Sequence, residues 1–364
     1  MKIDFSGITR QTRDERELLE ECFSEVLDSA NFISGKYVKN FESQIGDYFN
    51  SRHVIATSSG TQSLELIMKY LHTKGHSRVG TVANAGGYSS LAALNVGMKV
   101  VLIDCEIESG QMSFEDLKMK HELSNFSVLV YTHLYGNYLC LDEILEFCDK
   151  YKIVLVEDCA QAFGLTANGK RAGTFGKFSA FSFYPTKNLG AIGDSGAVLV
   201  KEKNDHLALR NLREYGWSEK YRVDLYGGTN ARMDEIQACV LSKRLLKLEQ
   251  WNDKRLEILK KYQNSIDPSI GYFPKYDKSI AHLAVIITTN LEQVKNLLKN
   301  KEIAFGFHYP IPDSKQLAWR NIFEISNVPN AENLCSRVIS IPCYPQMKSE
   351  EIEYVAEILN TKLN

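Results

Sequence analysis

The sequence predicts an α/β protein built on a large, mostly parallel β-sheet and followed by a smaller α/β domain. Short apolar runs alternate with segments of helical periodicity along most of the 364 residues. Residues 153–156 are almost continuously apolar, which is typical of a strand buried on both faces of a sheet. A chain of this length is too long for one simple core. We therefore predict a large domain over residues 1–249 and a small C-terminal domain over residues 250–364.

In the predicted large domain, apolar side chains at helical spacing alternate with short β-prone runs. Helices are predicted over residues 14–32 and 38–48, from about 62 and about 90, and over 114–120, 141–151, 204–215 and 233–262. Strands are predicted over residues 53–57, 78–83, 99–104, 126–132, 153–156, 178–184 and 196–201. The long last helix carries an apolar stripe and is expected to bridge the two domains.

The predicted small domain repeats this alternation. Strands are expected over residues 282–288, 303–307 and 338–341, and helices over 291–299 and 349–359. Ser349 is expected to cap the last helix, with Glu350 and Glu351 in its first turn.

Composition excludes several classes of partner. A net charge of −2 gives no electrostatic case for binding nucleic acid or an anionic membrane. No run approaches the ~18 apolar residues of a membrane span, and the charged N-terminus lacks an apolar signal core. The eight cysteines show no metal-binding spacing, so we predict no metal site. Cys22, Cys148 and Cys239 fall on apolar helix faces, so we expect buried free thiols and a reducing cytoplasm.

A turn of small residues at 58–61 separates a predicted strand from a predicted helix. Free backbone N–H groups and the helix dipole would favour a phosphate there, and Ser59 and Thr61 add hydroxyl donors. A plain helix cap by Ser59 or Thr61 explains the same residues. The turn alone leaves both interpretations open.

Lys187 lies in an apolar, aromatic and glycine-rich loop between two predicted strands. Desolvation lowers the pKa of such an amine and makes it a competent nucleophile toward a carbonyl. Asp158 follows the buried strand at 153–156, where a carboxylate can face a ligand. On their own, a plain loop lysine and a capping or ion-paired aspartate remain alternatives. Together with the anion site, however, these residues are the parts that a pyridoxal phosphate site needs.

The same stretches carry a family resemblance over nearly the whole chain. The sequence resembles the DegT/DnrJ/EryC1/StrS family of sugar aminotransferases in FISGKYVKNFE, SSGTQSLEL, THLYG, VEDCAQAFG, AGTFGKFSAFSFYPTKNLGAIGDSGAV, NARMDEIQACVL and ISIPCYP. This resemblance implies the pyridoxal-phosphate-dependent fold type I, which is aspartate aminotransferase-like. It also implies an enzyme that forms amino sugars from nucleotide-linked keto sugars.

The resemblance assigns roles to matching positions. Lys187 matches the lysine that holds pyridoxal 5'-phosphate as an imine and shuttles the proton. Asp158 matches the acid that pairs with the pyridine nitrogen. The remaining cofactor residues implied are Gln161 beside the ring, the phosphate binders Gly60, Thr61 and Ser182, and Asn230, which would reach the phosphate of the partner subunit in a homodimer.

The substrate is expected to be a keto sugar linked to a nucleotide, with L-glutamate as the amino donor. The turn ANAGGY at 83–88 departs from the aromatic-rich turn of many members, and Tyr88 is our candidate for stacking on the cofactor ring. The turn is similar to that of the branch that aminates the C3 ketone of dTDP-linked 6-deoxyhexoses. In that branch Tyr184, His308 and Tyr309 match residues near the sugar.

Alternatives to C3 amination remain at this stage. One is amination at C4 of a 4-keto-6-deoxy sugar carried by dTDP, GDP or UDP. A related dehydratase has histidine in place of the lysine, so Lys187 argues against that reaction. A non-enzymatic regulator on the same fold is disfavoured by the intact Lys187, Asp158 and Ser182.

Overall fold

The computed structural model describes residues 1–50 and 53–363, and strands alternate with helices along most of them. Within these residues the strands are β1 (Val54–Thr57), β2 (Arg78–Val82), β3 (Lys99–Ile103), β4 (Val128–Thr132), β5 (Asn137–Tyr138), β6 (Val154–Asp158), β7 (Thr166–Ala167), β8 (Lys170–Arg171), β9 (Phe178–Ser182), β10 (Gly196–Val200), β11 (Trp217–Glu219), β12 (Arg222–Val223), β13 (Lys278–Ser279), β14 (Ala284–Ile287) and β15 (Val338–Ile341).

The α-helices cover the connections between these strands and both termini. In the described chain they are α1 (Ile8–Asp14), α2 (Arg16–Ser29), α3 (Lys36–Phe49), α4 (Gly60–Thr73), α5 (Tyr88–Asn95), α6 (Phe114–Ser124), α7 (Asp142–Tyr151), α8 (Lys203–Arg213), α9 (Glu235–Leu245), α10 (Leu248–Ser265), α11 (Leu291–Asn300), α12 (Pro329–Cys335) and α13 (Ser349–Leu359). Short 3-10 helices lie at Leu134–Gly136, Asp313–Lys315 and Leu317–Trp319.

The largest sheet confirms the prediction of a mostly parallel arrangement. Its seven strands run in the order β1-β10-β9-β6-β4-β2-β3. Pairings from β9 through β6, β4 and β2 to β3 are parallel, and β10 is antiparallel to both of its neighbours. All of β4 and four of the five residues of β6 are buried, as expected for strands covered on both faces.

Several predicted elements need correction. The helix predicted over residues 233–262 is two helices, α9 and α10, separated by residues 246–247, and Leu246 is 85% exposed. The apolar stripe continues across this break, so periodicity alone could not reveal it. The helix predicted over residues 14–32 is α2, and a separate α1 precedes it.

Two predictions in the C-terminal part are also wrong. Residues 303–307 do not form a strand but make single bridges, from Ile303 to Ile3 and from Gly306 to Ser340. Ser349 is the first residue of α13 rather than its cap; the carboxylate of Glu351 instead accepts from the backbone N–H of Lys348 at 2.9 Å. Acidic residues in the first turn satisfy the helix end as well as a capping hydroxyl would.

The buried apolar side chains form two clusters. The larger covers both faces of the seven-stranded sheet, and the smaller packs α10, α11 and α13 against β14 and β15. Ile3 is fully buried in the smaller cluster, so the N-terminal residues pack with the C-terminal part. The boundary at residues 249–250 stays a prediction.

Two further expectations can be compared with the described residues. Cys22, Cys148 and Cys239 are buried free thiols, as predicted. None of the described helices is both long and apolar enough to cross a membrane. Location in the cytoplasm stays a prediction.

One edge of the sheet collects the ends of several strands. Because β10 runs antiparallel, its first residue, Gly196, pairs with the last residues of both β1 and β9, Thr57 and Ser182. The loop from β9 to β10 therefore leaves and re-enters the sheet at the edge where the parallel strands end. Lys187 lies in this loop, and Asp158 ends β6 at the same edge.

The buried carboxylate of Glu157 ties the segment before β9 to this edge. It accepts backbone N–H groups of Gly173, Phe175 and Gly176 at 2.7–2.8 Å, and His133 Nε2 at 2.8 Å. Glu157 is inaccessible to solvent. Water therefore cannot take the place of its carboxylate as the acceptor for these donors.

Replacing Glu157 with glutamine is expected to lower the free energy of unfolding by about 3 kcal/mol, because one amide oxygen cannot satisfy donors that two carboxylate oxygens serve. Urea unfolding measures the loss. The matched control is Glu146→Gln on the exposed side of α7, which should change the free energy by less than about 0.5 kcal/mol. Equal losses in the two variants would contradict the role of Glu157.

Candidate active site

A cavity of about 650 Å³ lies where the strands of the large sheet end. It brings together the predicted site residues, with one exception. Those that line it are Gly60, Thr61, Tyr88, Asp158, Gln161, Ser182, Tyr184, Lys187, His308 and Tyr309. Asn230 is the exception. Residues separated by up to 249 positions in sequence thus meet in one pocket.

Lys187 has the environment that its sequence neighbours predict. Desolvation by the pocket walls lowers the pKa of its amine from 10.5 to about 8, and the negative charge of Asp158 partly opposes this shift. Among the described residues, the Lys187 amine has no hydrogen-bond partner. It is therefore free to react with a carbonyl group bound in the cavity.

Asp158 is buried and incompletely satisfied. One carboxylate oxygen accepts the backbone N–H of Ala160 at 3.0 Å, but the other is 3.5 Å from the hydroxyl of Thr132. Burial raises the pKa of Asp158, while the Ala160 N–H and the positive charge of Lys187 lower it. The weakly bound oxygen can accept a strong hydrogen bond from a ligand.

The turn at residues 58–61 provides both a helix cap and free N–H groups for an anion, the two interpretations that the sequence left open. Ser59 caps α4 by accepting the N–H of Gln62 at 3.1 Å. The N–H groups of Gly60 and Thr61 have no partner in the described chain, and they stand at the positive end of a 14-residue helix. A Cβ on Gly60 would lie 2.6 Å from the Cβ of Ser182, so only glycine permits this close approach.

Gln161 joins two parts of the pocket wall. Its carbonyl accepts the backbone N–H of Tyr135 at 2.5 Å, and its amide donates to the hydroxyl of Tyr309 at 3.0 Å. Burial raises the pKa of Tyr309, so its hydroxyl keeps the proton and can donate it to a ligand. Tyr135 in turn donates to the backbone oxygen of His308 at 2.8 Å.

His308 is held on two sides. Its Nδ1 lies 2.8 Å from the hydroxyl of Ser340, and its ring stacks on Phe5 at a centroid distance of 5.7 Å. Burial and the nearby charge of Lys187 lower the pKa of His308 to about 4, so its imidazole is neutral at neutral pH. Its Nε2 has no partner in the described residues.

Of the three tyrosines predicted to face ligands, Tyr88 and Tyr184 are more exposed than Tyr309. Tyr88 is the first residue of α5, and its ring meets that of Tyr309 edge-on at 6.2 Å. Tyr184 is half-exposed at the rim of the cavity. Stacking of Tyr88 on a cofactor ring stays a prediction.

Asn230 lies outside the cavity of its own subunit. It is exposed, and its side-chain oxygen accepts from Nε of Arg232 at 3.0 Å. This position is compatible with the expected contact to the partner subunit, which also stays a prediction.

Sequence reasoning missed three groups of residues that line the cavity. The first is the N-terminal segment with Phe5 and Gln11, and the second is Asn188 with His282. The third is Trp251 with Arg255, which are four residues apart and therefore share one face of α10. That spacing is visible in the sequence, but Trp251 also fits the apolar stripe of the predicted long helix, which is typical of a core or an interface.

These residues fit pyridoxal phosphate by the chemistry of their donors. The free N–H groups of Gly60 and Thr61 suit a phosphate, the weakly bound oxygen of Asp158 suits a pyridinium N–H, and the amine of Lys187 suits an aldehyde. Each polar end of the cofactor therefore meets a group without a strong partner in the described chain.

The fold and this cavity define a pyridoxal-phosphate-dependent enzyme of the aspartate aminotransferase type. Residues 13–360 match the DegT/DnrJ/EryC1/StrS aminotransferase family, and the chain belongs to that family. This membership confirms the predicted fold class, the aminotransferase activity and the cofactor.

Similar proteins include two curated transaminases and one solved structure. The dTDP-3-amino-3,6-dideoxy-alpha-D-galactopyranose transaminase of Aneurinibacillus thermoaerophilus is 34% identical, with 94% of each chain covered. The dTDP-3-amino-3,4,6-trideoxy-alpha-D-glucose transaminase of Micromonospora megalomicea subsp. nigra is 30% identical, with 98% of each covered. The crystal structure of S. venezuelae DesV in complex with a ketimine intermediate has a TM-score of 0.91 at 28% identity, covering 99% of this chain and 98% of DesV.

The lowered pKa of Lys187 predicts how the apoprotein captures pyridoxal phosphate. Only the neutral amine reacts, so the capture rate should rise with pH and level off above about 8, rather than climb toward the ordinary lysine value of 10.5. The visible absorbance of the lysine–cofactor adduct measures the rate. Nα-acetyl-lysine with free cofactor serves as the control for the cofactor's own titration, and Lys187→Ala should give no adduct. A plateau reached only near pH 10 would contradict a desolvated Lys187.

Proposed function

We propose that this protein transfers the amino group of L-glutamate to the C3 ketone of a dTDP-linked 3-keto-6-deoxyhexose. The observation that carries the proposal is the Lys187 amine, unpartnered and with a pKa of about 8, in one cavity with Asp158. The names of the two curated relatives support the choice of substrate, because both are transaminases of dTDP-3-amino sugars.

Lys187 and Asp158 divide the chemistry between them. Pyridoxal phosphate, when bound, supplies an electron sink for the carbon that loses its proton. Asp158 would accept a hydrogen bond from the ring nitrogen and would keep that nitrogen protonated. The amine of Lys187, once released, takes up and returns the proton at its Nζ, and its lowered pKa suits this exchange near neutral pH.

His308 and Tyr309 are suited to orient an uncharged sugar. A neutral imidazole with a free Nε2 and a protonated phenol can hydrogen-bond to hydroxyl or ketone oxygens without adding charge to the pocket. Tyr184, at the rim, would contact the part of the sugar that lies further from the ketone.

The active enzyme is proposed to be a homodimer with shared sites. Asn230 would contact the cofactor phosphate bound by Gly60, Thr61 and Ser182 of the other subunit. The segment around Asn230 exposes large apolar side chains, which supports burial against a second copy: Tyr221 is 77% exposed, Val223 62% and Tyr226 93%.

Incubation with L-glutamate and either a 3-keto or a 4-keto dTDP-6-deoxy sugar tests the reaction directly. We expect an amino sugar only from the 3-keto substrate, with the nitrogen located at C3 by NMR. The Lys187→Ala variant is the control, and it should form no product with either sugar. Amination of the 4-keto sugar alone would contradict the C3 assignment.

Mixed dimers test whether Asn230 acts across the subunit interface. Co-expression of Lys187→Ala and Asn230→Ala chains gives a heterodimer in which one site carries both changes and the other carries neither. We expect each homodimeric variant to be strongly impaired, and the heterodimer to recover about half of the wild-type activity per dimer. If Asn230 served its own subunit, both sites of the heterodimer would be damaged and activity would stay low.

A further inference from the structure

Arg255 differs from the other well-buried arginines of the described chain. Arg213 is 6% exposed and pairs with Glu42 at 2.9 Å, and Arg244 is 3% exposed and pairs with Glu15 at 2.9 Å. Arg255 is 8% exposed, and no described carboxylate lies within ion-pair distance of it. A buried cation without an anion is costly, since desolvation of the charge is not compensated.

The contacts of Arg255 leave one end of the guanidinium unused. Its Nη1 donates to the backbone oxygens of Cys343 at 2.5 Å and His282 at 3.3 Å. Its Nε is sealed from solvent without a partner. Its Nη2 has no partner in the described chain but is not sealed in this way. Arg255 lines the cavity, so Nη2 is the guanidinium nitrogen left for a ligand bound there.

The groups around Arg255 do not supply the missing negative charge. His282 is buried, and its Nδ1 lies 2.8 Å from the side-chain oxygen of Asn188. Burial and the positive charges of Lys187 and Arg255 lower the pKa of His282 well below its ordinary value, so it is neutral. His282 contacts Asn188, the chain neighbour of Lys187, through its ring, and Arg255 through its backbone oxygen, so Arg255 and Lys187 lie on the same side of the cavity.

We propose that Arg255 binds a carboxylate of the amino donor, L-glutamate. This inference rests on the proposed function and names the residue that selects its donor. The free Nη2 can donate to a carboxylate oxygen, and the guanidinium charge, which no described carboxylate neutralises, strengthens such a hydrogen bond. Glutamate brings a carboxylate on the very carbon whose amine reacts beside Lys187, and a second one three bonds further on.

The diphosphate of the sugar nucleotide is the other anion that the cavity could receive. It is attached to C1 of the sugar, away from the ketone that must approach Lys187, and it continues into a nucleoside. A side chain more than nine-tenths buried on the side of Lys187 suits the smaller anion. Binding of dTDP distinguishes the two sources.

The first experiment measures binding of glutarate, a dicarboxylate without an amine, to the holoenzyme by calorimetry. We expect Arg255→Gln to weaken glutarate binding by at least about 30-fold, the lower range for removing one partner of a buried charge pair. Binding of dTDP should be unchanged. The matched control is Arg213→Gln, which removes a buried arginine outside the cavity and should leave glutarate affinity intact.

The second experiment compares amino donors in the first half-reaction, followed by the cofactor's visible spectrum. L-Norvaline lacks the side-chain carboxylate of glutamate, and 4-aminobutanoate lacks the α-carboxylate. In the wild type, the donor that lacks the carboxylate bound by Arg255 should react with a lower second-order rate constant than glutamate. The reduction should be similar to the one that Arg255→Gln causes with glutamate. In Arg255→Gln the same loss should have little further effect. Arg255→Lys, which keeps the charge but loses the planar guanidinium, should recover part of the discrimination.

Several results would overturn the assignment. These are unchanged glutarate binding in a folded Arg255→Gln variant, loss of dTDP rather than glutarate binding, or additive effects of the variant and both donor analogues. If the Arg255→Gln variant does not fold, the wild type still tests the assignment. Equal rate constants with glutamate, L-norvaline and 4-aminobutanoate would overturn it. Failure of the proposed function would be seen separately, as glutarate binding that depends on Arg255 in an enzyme that forms no amino sugar.

Discussion

A lysine amine gains a useful neutral, reactive fraction near neutral pH only where its surroundings make the ammonium form costly. In this protein that cost comes from desolvation, which lowers the pKa of Lys187 to about 8. The opposing charge of Asp158 limits the shift, and Lys187 in return favours the ionised form of the buried Asp158. The two groups therefore have to share one poorly solvated pocket, and the architecture around them satisfies that requirement.

The sheet topology meets this requirement through a single reversal. The five parallel strands all end at the same edge of the sheet. A loop from β9 to a further parallel strand would have to return to the opposite edge before that strand could begin. The antiparallel β10 lets the loop with Lys187 begin and end at the edge where β6 ends in Asp158. Glu157, which precedes Asp158, fixes the segment that enters β9, the strand from which the loop with Lys187 leaves.

The sequence predicted what depends on local chemistry and missed what depends on distant packing. The loop around Lys187, the turn at Gly60 and the strand end at Asp158 each carry their signal within a few residues. Arg255 carries no such local signal, because its role follows from the lack of a carboxylate partner among the described residues of the folded chain. The break between α9 and α10 was also invisible, since both helices bury the same kind of apolar stripe. Residues 303–307 are apolar enough for a strand but find only single bridging partners.

The distribution of charge in the cavity bears on how one site can serve two different substrates. In the proposed reaction, a dianionic amino acid and the neutral ring of a keto sugar occupy the same space in turn. A pocket with several fixed charges would bind one and reject the other. Here the two histidines that line the cavity, His282 and His308, are held neutral by burial and by the charge of Lys187. They can hydrogen-bond to either substrate without an electrostatic preference. Apart from Lys187, the positive charge among the described lining residues is that of Arg255. A sugar that leaves that position to water loses little, because the guanidinium keeps its two backbone carbonyl contacts.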